Sequence, residues 1–166
     1  MFDSFLLSQL AVGGAVLCNL LSFQFKKREV VIAFLTASTA LVALQLYFLG
    51  EMTAVLLTLY AIVYFLVSLK TTERRYFWIF LLGALVIFFT NYSSWLDYFV
   101  ILSTFITLIS LFNNSQKRMR QYQMVGSLVR ILYYVIIYSP VGILLEVTLL
   151  VSNLTAYFRY YFRRLA

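Results

Sequence analysis

Along most of this chain charge is kept out of long apolar stretches, and those stretches are long enough to cross a lipid bilayer. By hydropathy they fall at residues 5–22, 30–49, 52–69, 76–90, 96–112, 122–138 and 141–158. A helix rising about 1.5 Å per residue needs roughly 17 to 25 residues to span the hydrocarbon. The chain is 63% hydrophobic and 11% charged, which suits that reading. Hydrocarbon offers no water to backbone amides, so a span is either a helix or a strand of a closed barrel. Unbroken runs of Leu, Ile, Val and Phe lack the polar and apolar alternation of barrel strands. The expected fold is therefore an all-α integral membrane protein, one domain over 1–166, with short loops. The narrowest cut separates the second and third spans, where only Gly50 and Glu51 interrupt the hydropathy. An unbroken helix there would be about 60 Å long, and Gly50 is a natural terminator, so a tight hairpin is predicted.

The charges orient this bundle. Lys26, Lys27 and Arg28 follow the first span; Lys70, Arg74 and Arg75 the third; Lys117, Arg118 and Arg120 the fifth; Arg159, Arg163 and Arg164 the seventh. All of the 13 basic residues except Arg130 thus fall on one side, while Asp3, Glu51 and Asp97 fall on the other. Cytoplasmic loops carry the Lys and Arg excess, which predicts the N-terminus outside, the C-terminus inside and an odd number of spans. The net charge of +7 is then a topology signal and a contact with anionic headgroups of the lipid bilayer, reached by snorkelling stems. No nucleic acid partner is implied.

Other chemistry is excluded by what the chain lacks. Cys18 is the sole cysteine and there is no histidine, which argues against a disulfide framework, a thiolate zinc site, a histidine-held haem or an imidazole triad. No metal or other cofactor is expected. Nor is an enzyme, since no nucleophile and base stand at a workable spacing. Asp3 occupies the place of a positive n-region, and Leu17 precedes Cys18 where a lipidation box carries a small residue. The first apolar run is therefore read as a true span.

Sliding the chain by 92 positions sets Lys26 on Arg118, Arg28 on Arg120, Gly50 on Gly142, Val55 on Val147 and Leu57 on Leu149. It also superposes spans one to three on spans five to seven. Two three-helix units that both begin outside need one extra crossing between them. The predicted plan is repeat 1 at about 5–70, a linker helix at about 76–92 and repeat 2 at about 96–160. Parallel repeats of this kind hold substrate sites near midplane between the halves.

Several features resemble a known family. They are the basic turn followed by an apolar run into Leu49-Gly50, the run from Arg120 into Gly142-Ile-Leu-Leu-Glu146, and Ser152-Asn153 ahead of Arg159. Together these resemble the YgjV-like bacterial inner-membrane proteins, which implies a multi-pass inner (plasma) membrane location. The three-plus-one-plus-three plan is similar to that of the SWEET, PQ-loop and PnuC group of small-solute transporters. That likeness implies transport and puts Asn153 near the group's pocket asparagine. The chain departs from the group in having no Pro-Gln pair, and its one proline, Pro140, lies in an outer turn.

The candidate site follows from two charges inside spans. Arg130 lies about eight residues from the outer end of its span and Glu146 about five from the outer end of the next, a depth difference of roughly 5 Å. Uncompensated, each would cost about 2.5 to 3.5 kcal/mol, so they are expected to be paired, hydrated or, for Glu146, protonated. Two readings stand: a substrate-anion or proton-coupling site facing a cavity, or an ion pair that fixes helix packing. The repeat sets Ser38 and Ala54 opposite these charges and Ala61 opposite Asn153. Substrate contacts are assigned to Arg130, Glu146 and Asn153 with Tyr134 and Gln45 in support, and Tyr133 is a candidate for the pocket wall. Gln9, Asn19, Gln45, Ser152 and Asn153 also suit interhelical hydrogen bonding. Trp78, Trp95, Tyr92, Tyr98, Tyr138, Tyr157, Tyr160 and Tyr161 read as interfacial belts. The function expected is transport of a small-molecule substrate. The alternative is a non-transporting accessory or scaffold subunit, with a membrane protein partner or a second copy of the chain against its flat helical surface.

Overall fold

The computed structural model describes residues 2–22, 28–113 and 115–158, in which helices alternate with short turns and no strand occurs. The order among the described residues is α1 Phe2–Ser22, α2 Arg28–Leu49, α3 Met52–Ser68, α4 Arg74–Asn91, α5 Asp97–Leu111, α6 Gln116–Ile136 and α7 Pro140–Tyr157. The seven expected segments are all helical, with most ends shifted by one to three residues. Lys26, Lys27, Arg159, Arg163, Arg164, Tyr160 and Tyr161 lie outside the described residues.

The largest shift is at α6, which begins at Gln116 rather than at 122. Lys117, Arg118 and Arg120 therefore sit on its first turns instead of in a loop. Hydropathy marks where hydrocarbon begins, not where a helix does; Lys, Arg and Gln are good helix formers and continue α6 out of the apolar layer.

The two tight turns at the opposite end share one geometry. After α2, Gly50 takes φ +82°, its amide donates to Tyr47 C=O at 3.0 Å, and Glu51 N donates to Leu46 C=O at 3.1 Å. This is a Schellman ending, in which a left-handed residue lets its own amide and the next one satisfy orphan carbonyls. After α6 the same pattern recurs at Tyr138, with φ +53° and bonds from Tyr138 N to Val135 C=O and from Ser139 N to Tyr134 C=O. The turn geometry of Gly50 thus recurs at Tyr138, 88 positions on, and not at Gly142, the residue that an offset of 92 sets against it. Gly142 lies inside the first turn of α7.

Six helices close a ring. α1 packs on α2, α2 on α3, α3 on α5, α5 on α6, α6 on α7, and α7 back on α1; α4 stands outside and packs on α3 and α5. The outer face of the bundle is apolar and exposed, as at Leu10 and Leu132 on the ring and at Leu82 and Phe89 on α4, which suits a lipid-facing surface. Toward the Glu51 end, Leu46, Ala54, Val55, Tyr133 and Tyr134 pack together with Leu96, Ile137 and Ile143. An aromatic cluster of Tyr64, Phe80 and Phe112 with Leu108 joins α3, α4 and α5.

Two backbone features of the α6–α7 turn carry opposite consequences. A Cβ on Gly142 would lie 2.5 Å from Tyr134 Cδ1, so Gly142→Ala is expected to cost about 1 to 3 kcal/mol of overpacking. Tyr138 is 83% exposed and left-handed, so Tyr138→Gly removes a strain of roughly 1 to 2 kcal/mol with little packing lost. In detergent, the melting midpoint should fall for the first variant and rise for the second.

Candidate functional site

The ring encloses a cavity of about 760 Å³, lined from all six of its helices. Its lining reaches the basic end at Leu69, Thr72, Asn113 and Arg120. It stops short of the other end, where the Leu46, Tyr133 and Tyr134 cluster fills the space. Hydroxyl and amide groups are set into a wall that is largely apolar. α5 contributes Ser103, Thr104 and Thr107, α2 contributes Thr36, Ser38 and Thr39, and α7 contributes Ser152 and Asn153. In α5 most of these hydroxyls turn inward on their own helix, as Thr107 Oγ1 does to Ser103 C=O at 2.8 Å.

Arg130 and Glu146 meet in this wall. Arg130 is six residues from the end of α6 and Glu146 six from the start of α7, so antiparallel helices bring them nearly level rather than 5 Å apart in depth. Arg130 Nε donates to Glu146 Oε1 at 2.8 Å. Its Nη1 donates to Thr107 Oγ1 at 3.3 Å and its Nη2 to Ser127 Oγ at 3.2 Å. Gly126 leaves room for the guanidinium, since a Cβ there would lie 3.2 Å from Nη1. Helical side chains tilt toward their own N-terminus, and this carries the guanidinium of Arg130 toward the basic end. The Arg130 side chain keeps 24% of its surface exposed against 5% for Glu146, whose Oε2 has no hydrogen-bond partner among the described residues.

The other candidates divide. Tyr134 lines the cavity and packs its ring on Gly142; Asn153 lines it nearer the basic end and donates to Leu149 C=O at 3.1 Å. Tyr133 lines it as well. Gln45 does not. It is fully buried at the closed end, where its Nε2 donates to Ser139 Oγ at 2.7 Å. Ser139 Oγ also accepts from Gly142 N at 3.3 Å, and Gln9 Oε1 accepts from Val141 N at 3.2 Å. Two of the orphan amides at the start of α7 are thereby satisfied by side chains from α1 and the turn. Gln45 is thus part of a clasp over that turn.

A second clasp holds the α4–α5 turn. Asp97 is fully buried, and its Oδ2 accepts from Ser93 N at 2.8 Å, Ser94 N at 3.1 Å and Thr53 Oγ1 at 3.1 Å. Burial and the nearby Asp97 charge hold the Glu51 carboxyl in the adjacent turn above the ordinary range.

Thr107 and Ser127, which hold the guanidinium, were not among the expected site residues. Ser127 precedes Arg130 by one turn, and Ser103, Thr104, Thr107 and Ser110 repeat at helical spacing on α5; that stripe was the available signal.

Fold and site together define a polytopic α-helical membrane protein with an interior cavity of mixed polar and apolar lining. The chain matches the Imp-YgjV family, described as bacterial inner membrane protein, over residues 6–164, and it belongs to that family. It is a multi-pass protein of the bacterial inner membrane. No curated protein and no solved structure matches it.

Removing one partner of the pair strands the other charge in the wall. For a fully buried pair that costs about 3 to 5 kcal/mol, and less here because Arg130 opens on the cavity. Arg130→Leu and Glu146→Leu should each lower the melting midpoint, and the double variant should melt above the worse single one. A double variant at the sum of both losses would show that the two charges are not coupled.

Proposed function

We propose that this protein carries a small polar solute across the inner membrane, using the central cavity as its binding chamber. The observation that carries the reading is the cavity itself, enclosed by six helices and walled by apolar surface into which hydroxyl, amide and charged groups are set. At about 24 cal/mol per Å³, a dry void of that size would cost on the order of 18 kcal/mol, more than a domain's whole stability. The polar groups set into its wall let water fill it instead. A scaffold subunit gains nothing from such a chamber, whereas a carrier requires one.

The finer architecture follows in the same reading. Exchanging α1 with α5, α2 with α6 and α3 with α7 maps every contact of the ring onto another, which supports two parallel three-helix repeats with α4 as linker. At the offset of 88, cavity residues fall on cavity residues: Leu57 on Leu145, Ala61 on Leu149, Phe65 on Asn153, Val42 on Arg130 and Thr58 on Glu146. The counterparts of the charge pair are then Val42 and Thr58, not Ser38 and Ala54. The charge rule puts the basic end in the cytoplasm, so the chamber opens inward and the Leu46, Tyr133 and Tyr134 cluster is its outer closure.

Arg130 is the group proposed to hold the solute. Three of its five N–H donors are engaged, which leaves two for an acceptor in the chamber. Glu146 balances its charge when no solute is bound. Tyr134 and Asn153 line the solute's path, and Gln45 supports the closure from behind. The role is non-enzymatic.

Side-chain accessibility tests this without knowledge of the solute. In a Cys18→Ser background, Thr58→Cys and Thr104→Cys should react with a membrane-impermeant maleimide quickly in inside-out vesicles. They should react more slowly, but measurably, from the periplasmic side of intact cells. Reaction from one side only would overturn alternating access and favour an accessory subunit. Lys70→Cys should react only in the vesicles and Glu51→Cys only in the cells, which fixes the orientation.

A further inference from the structure

A second hollow opens at the basic end, on the lipid side of the ring. It is a groove of about 750 Å³ between α4 and α5, and it shares only Thr72 and Asn113 with the central cavity. Its walls are Phe77 and Trp78 from α4 and Phe105, Ile109 and Phe112 from α5. Phe77 and Phe105 pack on each other there, with ring centroids 6.0 Å apart, and join α4 to α5. From Phe105 to Phe112 the apolar wall runs about 10 Å along α5. Within a bilayer such a slot is filled by hydrocarbon.

The mouth is chemically different. Arg74, at the start of α4, and Arg118, near the start of α6, both line it and are exposed. Neither makes a hydrogen bond or ion pair with any described residue. Glu73 also lines the mouth, but its carboxylate is taken by Arg75. The acidic charge is thus neutralised locally while two guanidinium groups remain at the level where the spans meet water. Trp78, 53% exposed beside them, is the amphipathic ring expected at the headgroup layer.

A slot that needs a hydrocarbon chain and a mouth that needs an anion describe one molecule. We propose that the groove between α4 and α5 binds an anionic phospholipid, its phosphate between Arg74 and Arg118 and one acyl chain along Phe77, Phe105 and Ile109. Guanidinium groups suit this because their forked N–H donors match phosphate oxygens. A zwitterionic headgroup brings an ammonium to the same mouth and is disfavoured there. The lipid would also brace α4, the helix outside the ring, against α5.

The test uses the purified full-length protein in detergent, with lipid binding read by native mass spectrometry. Phosphatidylglycerol should bind, and phosphatidylcholine roughly thirtyfold more weakly, the effect of two basic groups on an anionic headgroup. Arg74→Gln with Arg118→Gln should lose about the same factor, whereas the charge-matched Lys70→Gln with Lys117→Gln should stay within about twofold of the wild type. Ile109→Trp, which fills the slot and keeps both arginines, should also weaken binding. Equal losses in the two double variants would replace the site with a general attraction to the basic end. An unaffected Ile109→Trp would mean that the slot holds no chain. Displacement of the lipid by glycerol phosphate at millimolar concentration would reassign the mouth to a soluble phosphate. Each of these three results overturns the proposal.

Discussion

A charge inside hydrocarbon has to be neutralised or wetted, and the pair of Arg130 and Glu146 has both remedies. The 2.8 Å contact neutralises them, and the cavity beside Arg130 admits water to its free edge. The contact depends on level depth, and level depth depends on the turn. A left-handed Tyr138 ends α6 abruptly, and Pro140 starts α7 two residues later. Pro is suited to a first helical position, where its missing amide has no partner to lose. Gly142 then lets α7 approach the ring of Tyr134. Thr107 adds α5 to the same point, so three helices are fixed at one guanidinium.

The two ends of the ring are built on different principles. At the Glu51 end, directional bonds cross between helices: Gln45 to Ser139, Gln9 to Val141 and Thr53 to Asp97. Beneath them the Leu46, Tyr133 and Tyr134 cluster excludes water. Such bonds are strong where water is absent, and they hold α1, α2, α3, α5 and the α6–α7 turn in one arrangement. The basic end has solvated charge and open cavity lining instead. In the proposed transport cycle the Glu51 end has to open, and Asp97 Oδ1, buried with no hydrogen-bond partner among the described residues, marks where that clasp is incomplete.

Hydropathy and charge were enough to read helix number, class and the anomalous pair, because each follows from the cost of polarity in hydrocarbon. The Gly50 turn was legible for a local reason, since glycine adopts positive φ without a Cβ penalty. Its counterpart was not, because Tyr138 takes that conformation against its own preference while a nearby glycine offered a misleading match. Gln45 looked like a cavity residue for a similar reason. An amide in a span can face water or cap a neighbour's backbone, and its sequence surroundings are the same in both cases. The cavity was not readable at all, as it depends on α4 lying outside the ring and on α3 meeting α5, contacts distant in the chain.

In the proposed repeat, the register of 88 sharpens why only one half carries charge inside a span. In it Val42 and Thr58 stand where Arg130 and Glu146 stand in the other half, and all four line the cavity. A symmetric chamber would hold two arginines and two glutamates and would repeat the desolvation cost of each. It would also offer a solute two equivalent orientations related by the axis. In the proposed carrier, one charged wall opposed by an apolar and hydroxyl wall removes that degeneracy: the solute's acceptor group would turn to α6, and its remaining surface would meet Val42, Leu57 and Thr58. In the proposed carrier, the asymmetry between the halves is therefore the element that selects a solute polar at one end.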